Sequence, residues 1–71
     1  MREIEVRGEV IRLGQLLKVA GLADSGGEAK AMLAAGEVRV NGEPETRRGR
    51  QLHDGDVIAA GDETVRVVAG G

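Results

Sequence analysis

The sequence contains neither cysteine nor any aromatic side chain. It has 71 residues with no Cys, Phe, Tyr or Trp, one Pro and one His. Without cysteine there is no disulfide framework, thiolate metal site or cysteine nucleophile, which fits a reducing, cytoplasmic compartment. The core must consist of aliphatic side chains, and so short a chain buries only about 60% of the surface that its unfolded form exposes. We therefore expect residues 1–71 to form one small domain of modest stability.

The sequence also has no long apolar run at its amino end. The first ten residues, MREIEVRGEV, alternate charged and apolar side chains. A signal peptide or a membrane span would need a continuous apolar stretch instead. We expect a monomeric protein that remains in the cytoplasm and has no membrane contact.

Residues suited to catalysis or metal binding are scarce. The only histidine, His53, lies beside Asp54 in a predicted turn, where a solvated loop residue is the simpler interpretation. The acidic residues of the two late turns lack the spacing of a calcium-binding loop. We predict no catalytic residue, no metal site, no cofactor and no small-molecule substrate.

Two apolar stripes with helical spacing predict helices over residues 14–20 and 26–35. The stripes consist of Leu13, Leu16, Leu17 and Ala20, and of Ala29, Met32, Leu33 and Gly36. Gly21 and Gly36 are suited to end the helices in a left-handed conformation. Ser25 and Glu28 have the spacing of a capping box, which starts the second helix.

Alternation of apolar and polar residues predicts strands on both sides of the helices. Residues 3–7 form the first strand, and 38–40 open a hairpin that turns at Asn41-Gly42. Pro44 places the returning strand at an edge of the sheet. The predicted fold class is α+β, with two consecutive short helices packed on a small, mostly antiparallel β-sheet. The expected core residues are Leu16, Leu17, Met32, Leu33, Val38, Val40, Val57, Val65 and Val67.

Basic residues are concentrated in the middle of an acidic chain. The formal net charge is −2, yet residues 30–50 hold five basic and three acidic side chains. Three of the arginines form the RRGR cluster, which we define as residues 47–50. The guanidinium groups of such a cluster repel one another, and bidentate hydrogen bonds to phosphate oxygens would offset this repulsion. The alternative is a solvated loop partly neutralised by Glu43 and Glu45.

The start of the second predicted helix is a second candidate for anion binding. Gly26 and Gly27 would expose backbone amides at the positive end of the helix dipole, and Lys30 would project from the same side. Glu28 counts against this interpretation because its carboxylate competes for the same amides. The alternative is that the small residues only allow tight packing of the helices.

Several short motifs in this order are typical of one family. They are Arg12-Leu13, Ser25, Ala29-Lys30, the run GEVRVNG at 36–42, and Gly55-Asp56. The segment from Ile11 to Ile58 thus resembles the alpha-L RNA-binding domain named after ribosomal protein S4. This domain also occurs in pseudouridine synthases, tyrosyl-tRNA synthetases and heat-shock ribosome factors. The segment defines the motif core, about 11–58, of the expected RNA-binding domain.

The resemblance implies that the second helix and the hairpin lie against an RNA groove. The residues expected to bind RNA are Arg12, Ser25, Gly26, Gly27, Lys30, Asn41, Arg47, Arg48 and Arg50. Gly26 stands where most family members have arginine, and we expect the segment ETRRGR to supply that charge. Because the chain offers no aromatic stacking platform, the expected partner is structured RNA, either ribosomal or tRNA-like.

Two other classes of function are compatible with parts of the sequence. The motifs VNGE and DGD and the terminal Gly70-Gly71 are also similar to ubiquitin-like sulfur carriers, which activate their carboxy-terminal glycine. Those carriers have one main helix between hairpins, whereas two capped helices are predicted here. An adaptor that binds another protein is the third possibility.

Overall fold

The computed structural model describes residues 1–70 and contains two helices and seven strands. The strands are β1 (Arg2–Arg7), β2 (Ile11–Arg12), β3 (Val38–Val40), β4 (Glu43–Pro44), β5 (Gln51–Leu52), β6 (Val57–Ala60) and β7 (Glu63–Gly70). Helix α1 (Leu13–Val19) follows β2 directly in the chain, and helix α2 (Gly26–Ala34) comes next. The two predicted helices and the α+β fold class are confirmed.

Each helix ends at the predicted glycine. Gly21 and Gly36 both have φ of 74°, a left-handed conformation that costs glycine little because it has no Cβ. After α1, the amide of Leu22 donates to the carbonyl of Leu17 at 2.9 Å, and after α2 that of Glu37 donates to Met32 at 3.1 Å. These are Schellman closures, which satisfy carbonyls that the helix leaves free.

The main sheet has the strand order β1-β7-β6-β3-β4 and is mostly antiparallel. β4, which contains Pro44, is at one edge as predicted, and the hairpin turns at Asn41 with φ of 53°. Sequence patterning did not predict that β1 pairs with β7 in parallel, with Ile4 opposite Val67. It also missed a second sheet, in which Ile11 pairs with Leu52 and Arg12 with Gln51.

The apolar core lies between the helices and one face of the main sheet. Its fully buried large side chains are Leu13, Leu16, Leu17, Leu33, Leu52, Ile58, Val38, Val40, Val65 and Val67. Two predicted core positions need correction. Val57 is only half-buried because the inward positions of β6 are Ile58 and Ala60. Met32 is also half-buried and packs against the margin of the core.

The structure gives no membrane-spanning element among the helices of residues 1–70. Neither helix is long and apolar enough to cross a bilayer.

Candidate nucleic-acid interface

Backbone hydrogen bonds connect the RRGR cluster to the start of α1. The first amides of a helix have no intrahelical partner, and Arg12 provides no side-chain cap. Instead, the amide of Leu13 donates to the carbonyl of Arg50 at 2.8 Å, and that of Gly14 donates to Arg48 at 2.9 Å. The cluster therefore caps α1, and the helix in turn fixes the cluster.

The side chain of Arg48 lies across Gly14. A Cβ atom on Gly14 would overlap Cγ of Arg48 and lie 3.5 Å from its carbonyl oxygen. The missing side chain at Gly14 thus provides the space in which Arg48 extends along α1. Open space surrounds Gly49, where no atom lies within 4 Å of an added Cβ.

Beside Arg48 is a basic groove of about 460 Å³ between α1, the start of α2 and the RRGR cluster. Its lining consists of Arg12, Gly14, Gln15, Lys18, Gly26, Ala29, Arg48 and Gly49. Three of these side chains are cationic and none is acidic. Arg12, Lys18 and Arg48 are exposed, and within residues 1–70 none of them forms an ion pair. The groove is therefore a concentrated positive region on an acidic chain.

The start of α2 is capped as predicted, and its first amides remain available. The hydroxyl of Ser25 accepts a hydrogen bond from the amide of Glu28 at 3.1 Å. The carboxylate of Glu28 reaches back past Ser25 and accepts from the amide of Asp24 at 3.1 Å. It therefore does not compete for the amides of Gly26 and Gly27, which start the helix without intrahelical partners. Gly26 lines the groove with this positive end of the helix.

The other two arginines of the cluster are held by Glu45. The Glu45 carboxylate accepts from Nε of Arg47 at 3.2 Å and from Nη1 of Arg50 at 3.0 Å. Arg47 remains largely exposed, with 76% of its side chain accessible, whereas Arg50 is partly covered. The predicted neutralisation by an acidic residue thus applies to two of the three arginines and involves Glu45.

Two further residues of the predicted site lie away from the groove. The amide group of Asn41 donates to Asp56 at 3.1 Å and its oxygen accepts from the amide of Val57 at 2.9 Å. Asn41 therefore connects the hairpin turn to the start of β6. Lys30 is exposed on α2 and is not part of the groove lining.

The sequence prediction of the site missed Lys18. The groove brings together Arg12, Gly26 and Arg48 from the predicted set, and adds Lys18 and Gln15 from α1. Lys18 follows Gly14 by four residues, so both lie on one side of α1. That spacing was available in the sequence, but only the fold shows that Arg48 lies over the same side.

Electrostatic contacts around Glu45 and Asp56 shift their titration. Hydrogen bonds from the side chain and backbone of Arg47, and from Arg50, lower the pKa of Glu45 from 4.5 to about 2. The same side-chain hydrogen bond raises the pKa of Arg47 above its usual value. Burial raises the pKa of Asp56, but hydrogen bonds from the His53 amide and Asn41 outweigh it, so the net shift is downward.

The pKa of Glu45 predicts a specific loss of stability in acid. Because the folded state lowers this pKa, the ionised carboxylate stabilises the fold above pH 4.5, and this contribution disappears as the pH falls toward 2. We expect the melting temperature of the wild type to fall more steeply across this interval than that of Glu45→Gln. Thermal unfolding by circular dichroism measures both. Glu43→Gln is the control, since it should follow the wild type; identical slopes for wild type and Glu45→Gln would contradict the prediction.

The two helices, the mostly antiparallel sheet and the basic groove define a small α+β protein of the alpha-L type. The sequence profile of the S4 domain matches residues 4–68, and the chain belongs to this family. It is 53% identical over 55 residues to the probable ribosome maturation protein RlbA of Bacillus subtilis (strain 168), covering 78% of each chain. It is 37% identical over 59 residues to the putative RNA-binding protein YbcJ of Escherichia coli (strain K12), covering 83% of this chain and 84% of the relative.

The carboxy-terminal end does not resemble that of a sulfur carrier within the described residues. Gly70 lies in β7 opposite Arg7 of β1, and an added Cβ would come within 3.2 Å of the Glu5 side chain. Two helices precede β3, where the carrier would have one main helix. Gly71, the residue that a carrier would activate, lies outside the described residues.

Proposed function

We propose that this protein binds structured RNA and that the basic groove receives phosphates of the RNA backbone. The observation that carries the proposal is the convergence of Arg12, Lys18 and Arg48 on one groove without any acidic partner in its lining. Guanidinium and ammonium groups bind phosphate oxygens through charge-assisted hydrogen bonds. The free amides of Gly26 and Gly27 add neutral donors at the positive end of α2.

Phosphate contacts of this kind hold the protein on RNA without reading its sequence. The chain has no aromatic side chain on which an unpaired base could stack. A folded RNA, whose backbone presents phosphates in a fixed arrangement, suits such a surface better than a flexible single strand does. The protein acts in this proposal as a binding protein without catalytic residues.

Ribosomal RNA is the proposed class of partner. The support is the likeness to RlbA, whose name describes a probable ribosome maturation protein. The expected site residues outside the groove lining are Ser25, Gly27, Lys30, Asn41, Arg47 and Arg50. Of these, we propose that Lys30 and Arg47 make additional phosphate contacts outside the groove. Both side chains are exposed.

A binding experiment with two forms of RNA tests this function. Fragments of ribosomal RNA that fold into hairpins are compared with single strands of the same base composition, each over a series of salt concentrations. If three cations each neutralise one phosphate, the slope of log affinity against log salt should be at least about −2 to −3. Hairpins should bind more tightly than single strands. Equal affinity for both forms, or affinity that does not change with salt, would contradict the proposal.

A further inference from the structure

Glu45 is the one charged residue that is buried within residues 1–70, with 7% of its surface accessible. Its carboxylate accepts hydrogen bonds from the backbone amides of Thr46 and Arg47, both at 3.0 Å. It also accepts from Nε and Nη2 of Arg47 and from Nη1 of Arg50, at 3.2, 3.3 and 3.0 Å. Five donors from a single short loop therefore converge on one carboxylate.

The loop around Glu45 is tied to the rest of the fold at both ends. The amide of Glu45 donates to the carbonyl of Val38 in β3 at 3.0 Å. At the other end, the carbonyls of Arg48 and Arg50 accept from the first amides of α1. Within the loop, the amide of Arg50 donates to the carbonyl of Arg47 at 3.3 Å. Glu45 thus lies at the centre of the loop between β4 and β5, which contacts β3 at one end and α1 at the other.

We infer that Glu45 is a positioning residue for RNA binding, which holds the RRGR cluster in the conformation that places Arg48 in the basic groove. This inference rests on the proposed function. Glu45 itself has no access to RNA, because its carboxylate is buried beneath Arg47 and Arg50. Glu45 therefore affects RNA binding only by fixing the conformation of the loop.

The physical reason is the repulsion within the cluster. Three guanidinium groups in four residues favour an open loop, and the Glu45 carboxylate offsets this by pairing with two of them in charge-assisted hydrogen bonds. In Glu45→Gln one oxygen remains to accept from the loop amides, but Arg47 and Arg50 lose their charged partner and the second oxygen is replaced by an NH2 donor that faces them. Arg48 would then have to be ordered again whenever RNA binds, which weakens the affinity.

The substitution Glu45→Gln tests the inference because the loss of negative charge and the loss of loop positioning should change the RNA affinity in opposite directions. Removing one negative charge from any site near the groove should strengthen RNA binding if electrostatics alone decides. Glu43→Gln, on exposed β4, removes the same charge and should strengthen binding slightly. If Glu45 positions the loop, Glu45→Gln should instead weaken binding to a ribosomal RNA hairpin by about 2- to 10-fold, the cost of ordering a long side chain and its loop.

Hydrogen exchange shows whether the loop alone is released. In Glu45→Gln, the amides of Leu13 and Gly14, whose acceptors are the carbonyls of Arg50 and Arg48, should exchange faster than in the wild type. Amides within the ladder between β6 and β7 should keep their protection, which separates local release from unfolding. This measurement needs no RNA, so it tests whether Glu45 positions the loop separately from whether the wild type binds RNA. Unchanged protection of Leu13 and Gly14, or binding that strengthens as in Glu43→Gln, would overturn the inference.

Discussion

Replacing Arg12, Lys18 and Arg48 together by alanine is expected to abolish most of the salt dependence of RNA binding. Each cation that neutralises one phosphate releases about 0.7 to 0.9 counterions, so the slope of log affinity against log salt should become shallower by roughly 2 to 3. Affinity should fall for all hairpins alike, because backbone contacts carry little sequence information. Titrations of wild type and variant over a salt series measure both effects.

The triple variant should still fold. The three side chains are exposed and form no ion pair within residues 1–70, so they contribute little to stability. Lys18 lies in the last turn of α1, where its interaction with the helix dipole is worth about 0.3 to 1 kcal/mol. Circular dichroism at the assay temperature checks that the fold is intact.

A second triple variant provides the control for net charge. Arg2, Arg7 and Arg66, on β1 and β7, are replaced by alanine so that the chain loses the same three charges away from the groove. We expect this variant to keep most of the salt slope of the wild type. If both variants flatten the slope equally, the overall charge of the chain, and not the groove, determines RNA binding.

Leu33→Ala is expected to produce the largest loss of stability among single substitutions in α2. Leu33 is 2% exposed and lies in the main core cluster, so truncation removes buried apolar surface and leaves a cavity. Such changes cost about 2 to 5 kcal/mol. A domain of this length is stable by roughly 4 to 10 kcal/mol, so the variant should lose a large fraction of its free energy of unfolding.

Met32→Ala provides the matched comparison for Leu33→Ala, since it truncates the neighbouring residue of the same helix. Met32 is half-buried, so its truncation should cost less, under about 2 kcal/mol. Urea unfolding of both variants gives the free energies, and an unchanged m-value confirms that they can be compared. A loss for Met32→Ala equal to that for Leu33→Ala would mean that Met32 belongs to the core after all.

The helices and the hairpin could be predicted because their signals are local. A stripe of leucines three and four residues apart specifies one helix face, and glycine at positions 21 and 36 specifies where each helix ends. Asn41-Gly42 fixes the hairpin, and Pro44 excludes β4 from the middle of a sheet. These features depend on backbone conformations within a few residues.

The pairing of distant segments could not be predicted. β2 and β5 have two residues each, too few to show a period, and they pair across about forty residues of intervening chain. The parallel pairing of β1 with β7 joins the two ends of the described chain. Alternation shows that both are strands, but it does not specify which strand is the neighbour of which.

The concentration of positive charge in residues 30–50 and the motifs of the alpha-L family can be read from the amino-acid sequence. The role of each charge depends on the folded arrangement. The three arginines of the RRGR cluster are equivalent in the sequence, yet Glu45 engages Arg47 and Arg50 and leaves Arg48 to extend over Gly14. Lys18 joins Arg48 because α1 is capped by the cluster. This division depends on the conformation of the loop, which backbone hydrogen bonds connect to Val38 of β3 and to the start of α1, and no local pattern encodes these distant contacts.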